Sequence, residues 1–388
     1  MLAVARYNGI TLDEPGFIAD PVVKTGGKRV EPLKRDDLET GLTTRTQRRQ
    51  RRERRRGLTW VRGILTAVAI FTGLGIAGVA LTFLTPWGRN LRLIAAETII
   101  TTRHYYLARY MTTPAEYASL IHQLNIPVVN TGVSGKVKVQ PIHTGSRAID
   151  IISIRGTTYD GFVMLVHDPR LIRLVKADVH GSMGEYITAM AKRIGAVAGT
   201  NASGFEDPNG NGWGGLAVGL EYVGGTTVNP LKGSVDWTSV GFTSSGVMVM
   251  GNYSEQQLSQ LGVRDAMQFH PELVVDGKPT ITVGDGGWGY GPRTAIGQAK
   301  NGTVIFVVTN GRFKGTFGPG ASQRQVMDLM LHYGAVNACA MDGGSSSVLF
   351  DNGHILNHPS TIDPNHERHL PDAWMVFPTA QAASHYGL

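Results

Sequence analysis

The chain has 388 residues and a single cysteine, Cys339, so no disulfide can form within it. Cys339 sits in an apolar run, where a small buried hydrophobe is the expected role. The sequence has no G-x-S-x-G elbow and no P-loop, which leaves the corresponding serine hydrolases and nucleotidases without support. His354, His358, His366 and His369 cluster near the end of the chain, but Pro359 and Pro364 interrupt them and the spacing is not that of a zinc-binding helix. Excess charge is also missing from most of the chain. Residues 1–62 hold 15 Lys/Arg against 8 Asp/Glu, and the remainder holds 22 of each. The pI of 9.5 therefore reflects the N-terminal region alone, and the electroneutral body offers no nucleic-acid footprint.

Residues 1–57 read as a disordered, basic, cytoplasmic tail, rich in Pro, Gly and charge in its first part. Arg45–Arg56 places eight arginines in twelve positions. Gly63–Gly88 then runs for 26 residues without a charge, against the ~20 that a membrane span needs. Trp60 and Trp87 flank it, so the expected transmembrane helix covers 58–87. Arginines on its N-terminal side put that end in the cytoplasm and the body on the other side. Ala69, Gly73 and Ala77 form a small-xxx-small row, the chain's one signal for helix association. Residues 88–127 read as a helical stalk, with Thr113, Pro114 and Glu116 as a helix start.

Glycine is abundant, at 50 residues, and points to a body rich in strands, turns and bulges. Short apolar runs predict strands over Ala148–Ile154, Phe162–Val166, Gly195–Gly199, Gly246–Met250, Leu273–Val275, Thr303–Thr309 and Ala335–Met341. Asp276-Gly277 and Asn301-Gly302 are hairpin turn pairs. Helices are expected over Gly184–Ile194 and Ser322–Tyr333, the second with a Ser322/Gln325 capping box. The fold class expected is α+β: one mixed, strand-rich catalytic domain over 128–380, preceded by the span and the stalk.

Five segments carry candidate chemistry. Ala335–Phe350 ends an apolar strand on Asp342, followed by Gly343, Gly344, Ser345, Ser346 and Ser347. A carboxylate at a strand tip beside flexible backbone and hydroxyls suits a polar, phosphorylated ligand, although Asp-Gly-Gly also serves as a plain turn. Gly199–Gly215 places Asn201 and Phe205 after an apolar strand. Within it Asp207, Asn209, Asn211 and Gly212 match the first half of a calcium loop, but Val218 stands where the closing Glu belongs. Calcium and an Asx-rich hydrogen-bonded loop both remain open there. Arg293 follows a Gly/aromatic loop, and Arg312 follows a very apolar strand. Two arginines at strand edges can clamp a phosphate. Gly318-Pro319-Gly320 opens the helix at Ser322, which reads as a natural anion site or as an ordinary helix start.

Taken together, TNASGF with Asn201 and Phe205, GPRTAIG with Arg293, TNGR with Arg312, and NACAMDGGSSS with Asp342 to Ser347 resemble the phosphodiester glycosidase family. The resemblance covers roughly 149–378, and the front end is similar to a membrane-anchored bacterial subgroup linked to exopolysaccharide biosynthesis. It implies hydrolysis of a sugar-1-phosphodiester. Arg293 and Arg312 would hold the phosphate, and Asp342 would act as nucleophile, base or oxocarbenium stabiliser. Asn201, Phe205, Asn310, Gly343, Gly344, Ser345 and Ser346 would contact the substrate. Glu206, Asp207 and Asp285 are the candidates for a second carboxylate. No cofactor is required by this reading, and Ca2+ is the alternative at the Asp207 loop. The implied partners are a sugar-phosphate or glycan and the membrane, through one helix, with no nucleic acid. Two departures stand out: Asn310 replaces the family's usual Asp, and Ser345 replaces a third glycine. The Asn310 change opens a second expectation, a catalytically inactive module that binds a glycan or teichoic-type polymer of the cell envelope.

Overall fold

The computed structural model describes residues 35–100, 105–124, 128–140, 147–207, 211–229, 236–312, 318–361 and 363–386. The chain divides into two compact units, residues 1–79 and 80–388. Helix α1 spans Arg35–Leu84. Its stretch Arg52–Leu84 is long and apolar enough to cross a membrane, and none of it is buried inside the protein. The helix also takes in the arginine run, which the sequence assigns to an unstructured tail. Arginine is a good helix former, so the apolar helix continues backward through it. The apolar stretch stops at Leu84 rather than residue 87, because Pro86 cannot extend a helix and opens the next one.

In the second unit, α2 (Pro86–Ile100), α3 (Ala108–Met111) and α4 (Pro114–Leu124) precede the sheets. Thr113 and Glu116 form the expected reciprocal cap. Ala96, Ile100, Ala108 and Leu120 make a small core of their own. These helices also fold against the body, where the sequence suggests a separate stalk. Thr98 of α2 meets Gly289, and Gln123 of α4 meets Gly287.

The body contains three antiparallel sheets. The first runs Ile149–Arg155, Asp160–Val166, Val304–Thr309, Arg293–Ala299, Ala335–Met341, Glu272–Val275, Lys278–Pro279. The second runs His354–Ile355, Leu349–Asp351, Ala198–Asn201, Asp372–Val376, Ile172–Lys176. The third runs Thr226–Thr227, Glu221–Val223, Val263–Phe269, Thr238–Thr243, Met248–Gly251. One large apolar core joins them and includes Met164, Phe242, Ile296, Phe306 and Trp374. Helices α5 (Ile187–Ile194), α6 (Glu255–Gln260) and α7 (Gln323–His332) lie between strands, α6 and α7 each starting with a Ser/Gln capping box.

The sequence-based elements agree with this layout apart from shifts of a few residues. Gly195 caps α5 at φ 71°, so the following strand starts at Ala198 rather than at Gly195. Several strands are missed from sequence, the longest being Ile172–Lys176, Thr238–Thr243, Val263–Phe269 and Asp372–Val376. Each holds buried polar residues: Arg173, Ser239, Asp265, Gln268 and Asp372 among them. Arg173 and Asp265 pair at 2.6 Å with 2% and 0% of their side chains exposed. Removing one partner of a buried pair leaves an uncompensated charge. Asp265→Asn is therefore expected to destabilise the protein by about 3–5 kcal/mol in urea unfolding.

Candidate functional site

The site is built where the first two sheets meet. Asp342 follows the strand Ala335–Met341, and its N–H donates to Ala202 O at 3.0 Å. Asn201 completes the join. Its Nδ2 donates to Asp342 O at 2.7 Å, and its Oδ1 accepts from Thr294 Oγ1 at 2.9 Å and Val348 N at 3.2 Å. Asn201 is fully buried, its amide is taken up by these partners, and it is not among the residues that line the cavity described below.

After Asp342 the chain makes a tight turn. Gly343 N donates to Asp342 Oδ1 at 2.9 Å, and Gly344 N donates to Pro292 O at 2.9 Å. Gly344 has φ +64°, and a Cβ there would lie 2.9 Å from Arg312 Nη2. Glycine is thus needed twice over, for backbone conformation and for the guanidinium above it. Ser346 is buried and hydrogen-bonds the Asp342 carboxylate, so it acts through Asp342.

Three arginines surround this turn. Arg293 is 8% exposed. Its Nη2 donates to Trp288 O at 2.6 Å and Gly289 O at 2.8 Å, and its Nε to Ala321 O at 3.1 Å. Those carbonyls hold the guanidinium with Nη1 toward Gly343, 3.8 Å from where a Cβ would stand. Arg312 stands over Gly344 at φ +53°. Among the described residues neither Arg293 nor Arg312 makes an ion pair with a carboxylate. Arg368, which the sequence reading overlooks, donates to Ser345 Oγ, stacks on Phe205 at 4.7 Å and lies 3.7 Å from Asp207. Its place among four histidines in sequence offers no hint of this, because only the fold brings it to Ser345.

A cavity of about 130 Å³ is lined by Arg293, Arg312, Asp342, Gly343 and Gly344 on its polar side. Phe269, Trp288 and Tyr290 form an aromatic side, and Thr98, Gly291, Pro292, Gln323 and Met341 complete the lining. The aromatic wall is visible in the sequence only as the Gly/aromatic loop before Arg293. Burial pushes the Asp342 carboxyl up to about 6, against the pull of Ser346, Arg368, Gly343 N and Arg312. The same burial lowers Arg293 to about 10, partly offset by Asp285, with Arg312 lowering it further. Arg312 is lowered too, by burial and by Arg368. The cleft therefore presents a cationic field around one carboxylate, suited to an anionic ligand.

Other expected residues lie elsewhere. Asn310 is 3% exposed, donates from Nδ2 to Asp160 Oδ1 at 2.9 Å and accepts from His358 N at 2.7 Å. It does not line the cavity. An aspartate there would face the Asp160 carboxylate, which gives a structural reason for the amide. Phe205 and Ser345 contact Arg368 and serve the site through it. Asp207 Oδ1 accepts from Gly212 N at 3.0 Å, five residues along the chain. Asn211 is exposed, and Asn209 lies outside the described residues.

A mixed α+β domain whose cleft sets a carboxylate among arginines defines a class of proteins that handle anionic ligands. The comparisons name the class more closely. The sequence profile described as phosphodiester glycosidase matches residues 194–377. The zebrafish N-acetylglucosamine-1-phosphodiester alpha-N-acetylglucosaminidase catalytic domain, auto-inhibited by its pro-peptide, has a similar fold. The TM-score is 0.52 at 19% identity, over 66% of this chain and 89% of that one. The SPbeta prophage-derived uncharacterized protein YomE of Bacillus subtilis (strain 168) is 29% identical over 191 residues. That match covers 45% of this chain, and the chain spans 27% of the length of that relative.

Asn201→Ala would strip partners from Thr294, Val348 and Asp342. A loss of about 1–3 kcal/mol in denaturant unfolding is expected. Unchanged stability would instead mark Asn201 as a ligand contact.

Proposed function

We propose that the protein is a membrane-anchored, extracytoplasmic hydrolase of sugar-1-phosphodiesters in cell-envelope or exopolysaccharide glycans. The observation that carries this reading is the meeting of Arg293, Arg312 and Asp342 in one cavity. Their residue types suit a phosphate diester bound beside a carboxylate. The family match over 194–377 supports it, and the similar zebrafish domain is named for this class of bond. The arginine run before an apolar helix supports a cytoplasmic N-terminus.

In this reading Arg293 Nη1 and the Arg312 guanidinium bind the phosphate oxygens. Asp342 faces the anomeric carbon. The bond from that carbon to the phosphate oxygen breaks, and the bonding pair leaves with the phosphate as a monoester. Water supplies the new oxygen on the sugar and the proton balance. Phosphate is a good leaving group, so the arginines do most by stabilising its charge. Asp342 acts in its ionised form, as nucleophile or base. The step needs no cofactor. The calcium alternative at Asp207 is weaker, since the Arg368 guanidinium already faces that carboxylate. The inactive-module alternative rests on Asn310, and Asn310 is engaged in the fold away from the cavity.

Two outcomes test the proposal on the full chain in lipid nanodiscs. Turnover of a sugar phosphodiester should fall as pH drops through about 6, where Asp342 takes up its proton. Asp342→Asn should remove turnover while leaving the unfolding midpoint near that of the parent. Equal rates for Asp342→Asn and the parent would reject the assignment. Binding of the diester without release of monoester would favour the inactive module.

A further inference from the structure

One wall of the cavity comes from a part of the chain that precedes the family-matched segment. Thr98 of α2 lines the cavity opposite Asp342's turn. The helix lies directly on the loop before Arg293. A Cβ on Gly289 would fall 2.2 Å from Thr98 Oγ1 and 3.1 Å from Ile94 O. Helix α4 rests on the same loop, with Gln123 3.1 Å from a Cβ on Gly287. Helix α2 is tied to α4 by Arg92, whose side chain is 5% exposed and pairs with Glu116 at 2.8 Å. This arrangement is a packed contact, with glycines where the helix backbone and side chains approach.

Within it Glu97 and Asp285 line one groove, and Asp285 Oδ2 is buried with no donor, where a protonated Glu97 carboxyl can serve it. Asp285 Oδ1 accepts from Gly287 N at 2.9 Å, and Asp285 O accepts from Arg324 N at 3.0 Å. Three and four residues after Asp285, the same loop offers Trp288 O and Gly289 O to Arg293 Nη2. A continuous chain of contacts therefore runs from Glu97 through Asp285 and the loop to the guanidinium.

We propose that α2 is part of the substrate site, with Glu97 as a positioning residue that holds the Asp285 loop and thereby aims Arg293 at the bound anion. The identity of that anion as a phosphodiester rests on the function proposed above; the positioning role does not. A bond between two acids needs a proton, and Glu97 carries it: burial, and then the charge of Asp285, raise its pKa to about 8. The groove around Glu97 also holds Tyr290 from the loop and Arg324 and Asp328 from α7, with Asn90 and Ile94 on its own helix. Below about 8 the carboxyl donates to Asp285. Above it two carboxylates face each other and the loop is released from the helix.

The test is binding of inorganic sulfate, whose charge does not change in this range, to the full chain in nanodiscs between pH 6 and pH 9. The parent should lose affinity as pH rises through about 8. Glu97→Gln keeps the donor and cannot ionise, so it should bind as the parent does at low pH and lose the alkaline step. Glu97→Ala should weaken binding by roughly 10-fold or more at all pH values, as removal of orienting partners commonly does. An alkaline step that persists in Glu97→Gln would overturn the proposal. So would parent-like affinity in Glu97→Ala. Should sulfate behave as expected while no sugar phosphodiester is turned over, the function reading falls and the positioning role stands.

Discussion

The side-chain amide of Asn201 is the constraint on which the site depends. It ends a strand of the second sheet, reaches Thr294 in the first, and closes on the backbone at Asp342 and Val348. All of its partners are buried or partly buried, so each would lose free energy if left unpaired. The amide needs both ends: the NH₂ for the Asp342 carbonyl, and the oxygen for a hydroxyl and an N–H. No other side chain of this size supplies both. Through it, two sheets with separate strand orders agree on the position of one carboxylate.

Burial then does two opposite things in the cleft. It makes the Asp342 proton harder to lose and the Arg293 proton easier to lose. Both shifts follow from the same cost of charge in a poorly solvated place. Arg293 stays cationic because three backbone carbonyls accept from it, a way to hold a buried charge without neutralising it. A carboxylate partner would have cancelled the field that an anionic ligand feels.

Much of this was legible in the sequence, and the failures have common physical causes. The strand before Asp342, the α7 cap and the pairing of Arg293, Arg312 and Asp342 in one place follow from local patterns and ordered motifs. Asn201 and Asn310 stand out in the sequence, but their burial does not show there. A polar residue near a glycine-rich loop looks the same in sequence whether it faces a ligand or ties two strands together. The strands holding Arg173, Asp265 and Asp372 are invisible in sequence because their charges are buried and satisfied by partners distant in the chain, and Arg368 because only the fold brings it to Ser345 and Phe205. Periodicity detects apolar faces, and these faces are partly polar. The helices before the body were read correctly as helices, but nothing local announces that Gly287 and Gly289 exist to receive them.

Two guanidiniums with no ion-paired carboxylate among the described residues have a consequence for what leaves the site. Hydrolysis of a diester releases a monoester, which gains negative charge as its second proton is lost near pH 6. On the reaction proposed above, Arg293 and Arg312 hold the dianionic product more firmly than the monoanionic substrate at neutral pH. Release of the monoester is then the step these arginines slow, and free phosphate competes for the same guanidiniums.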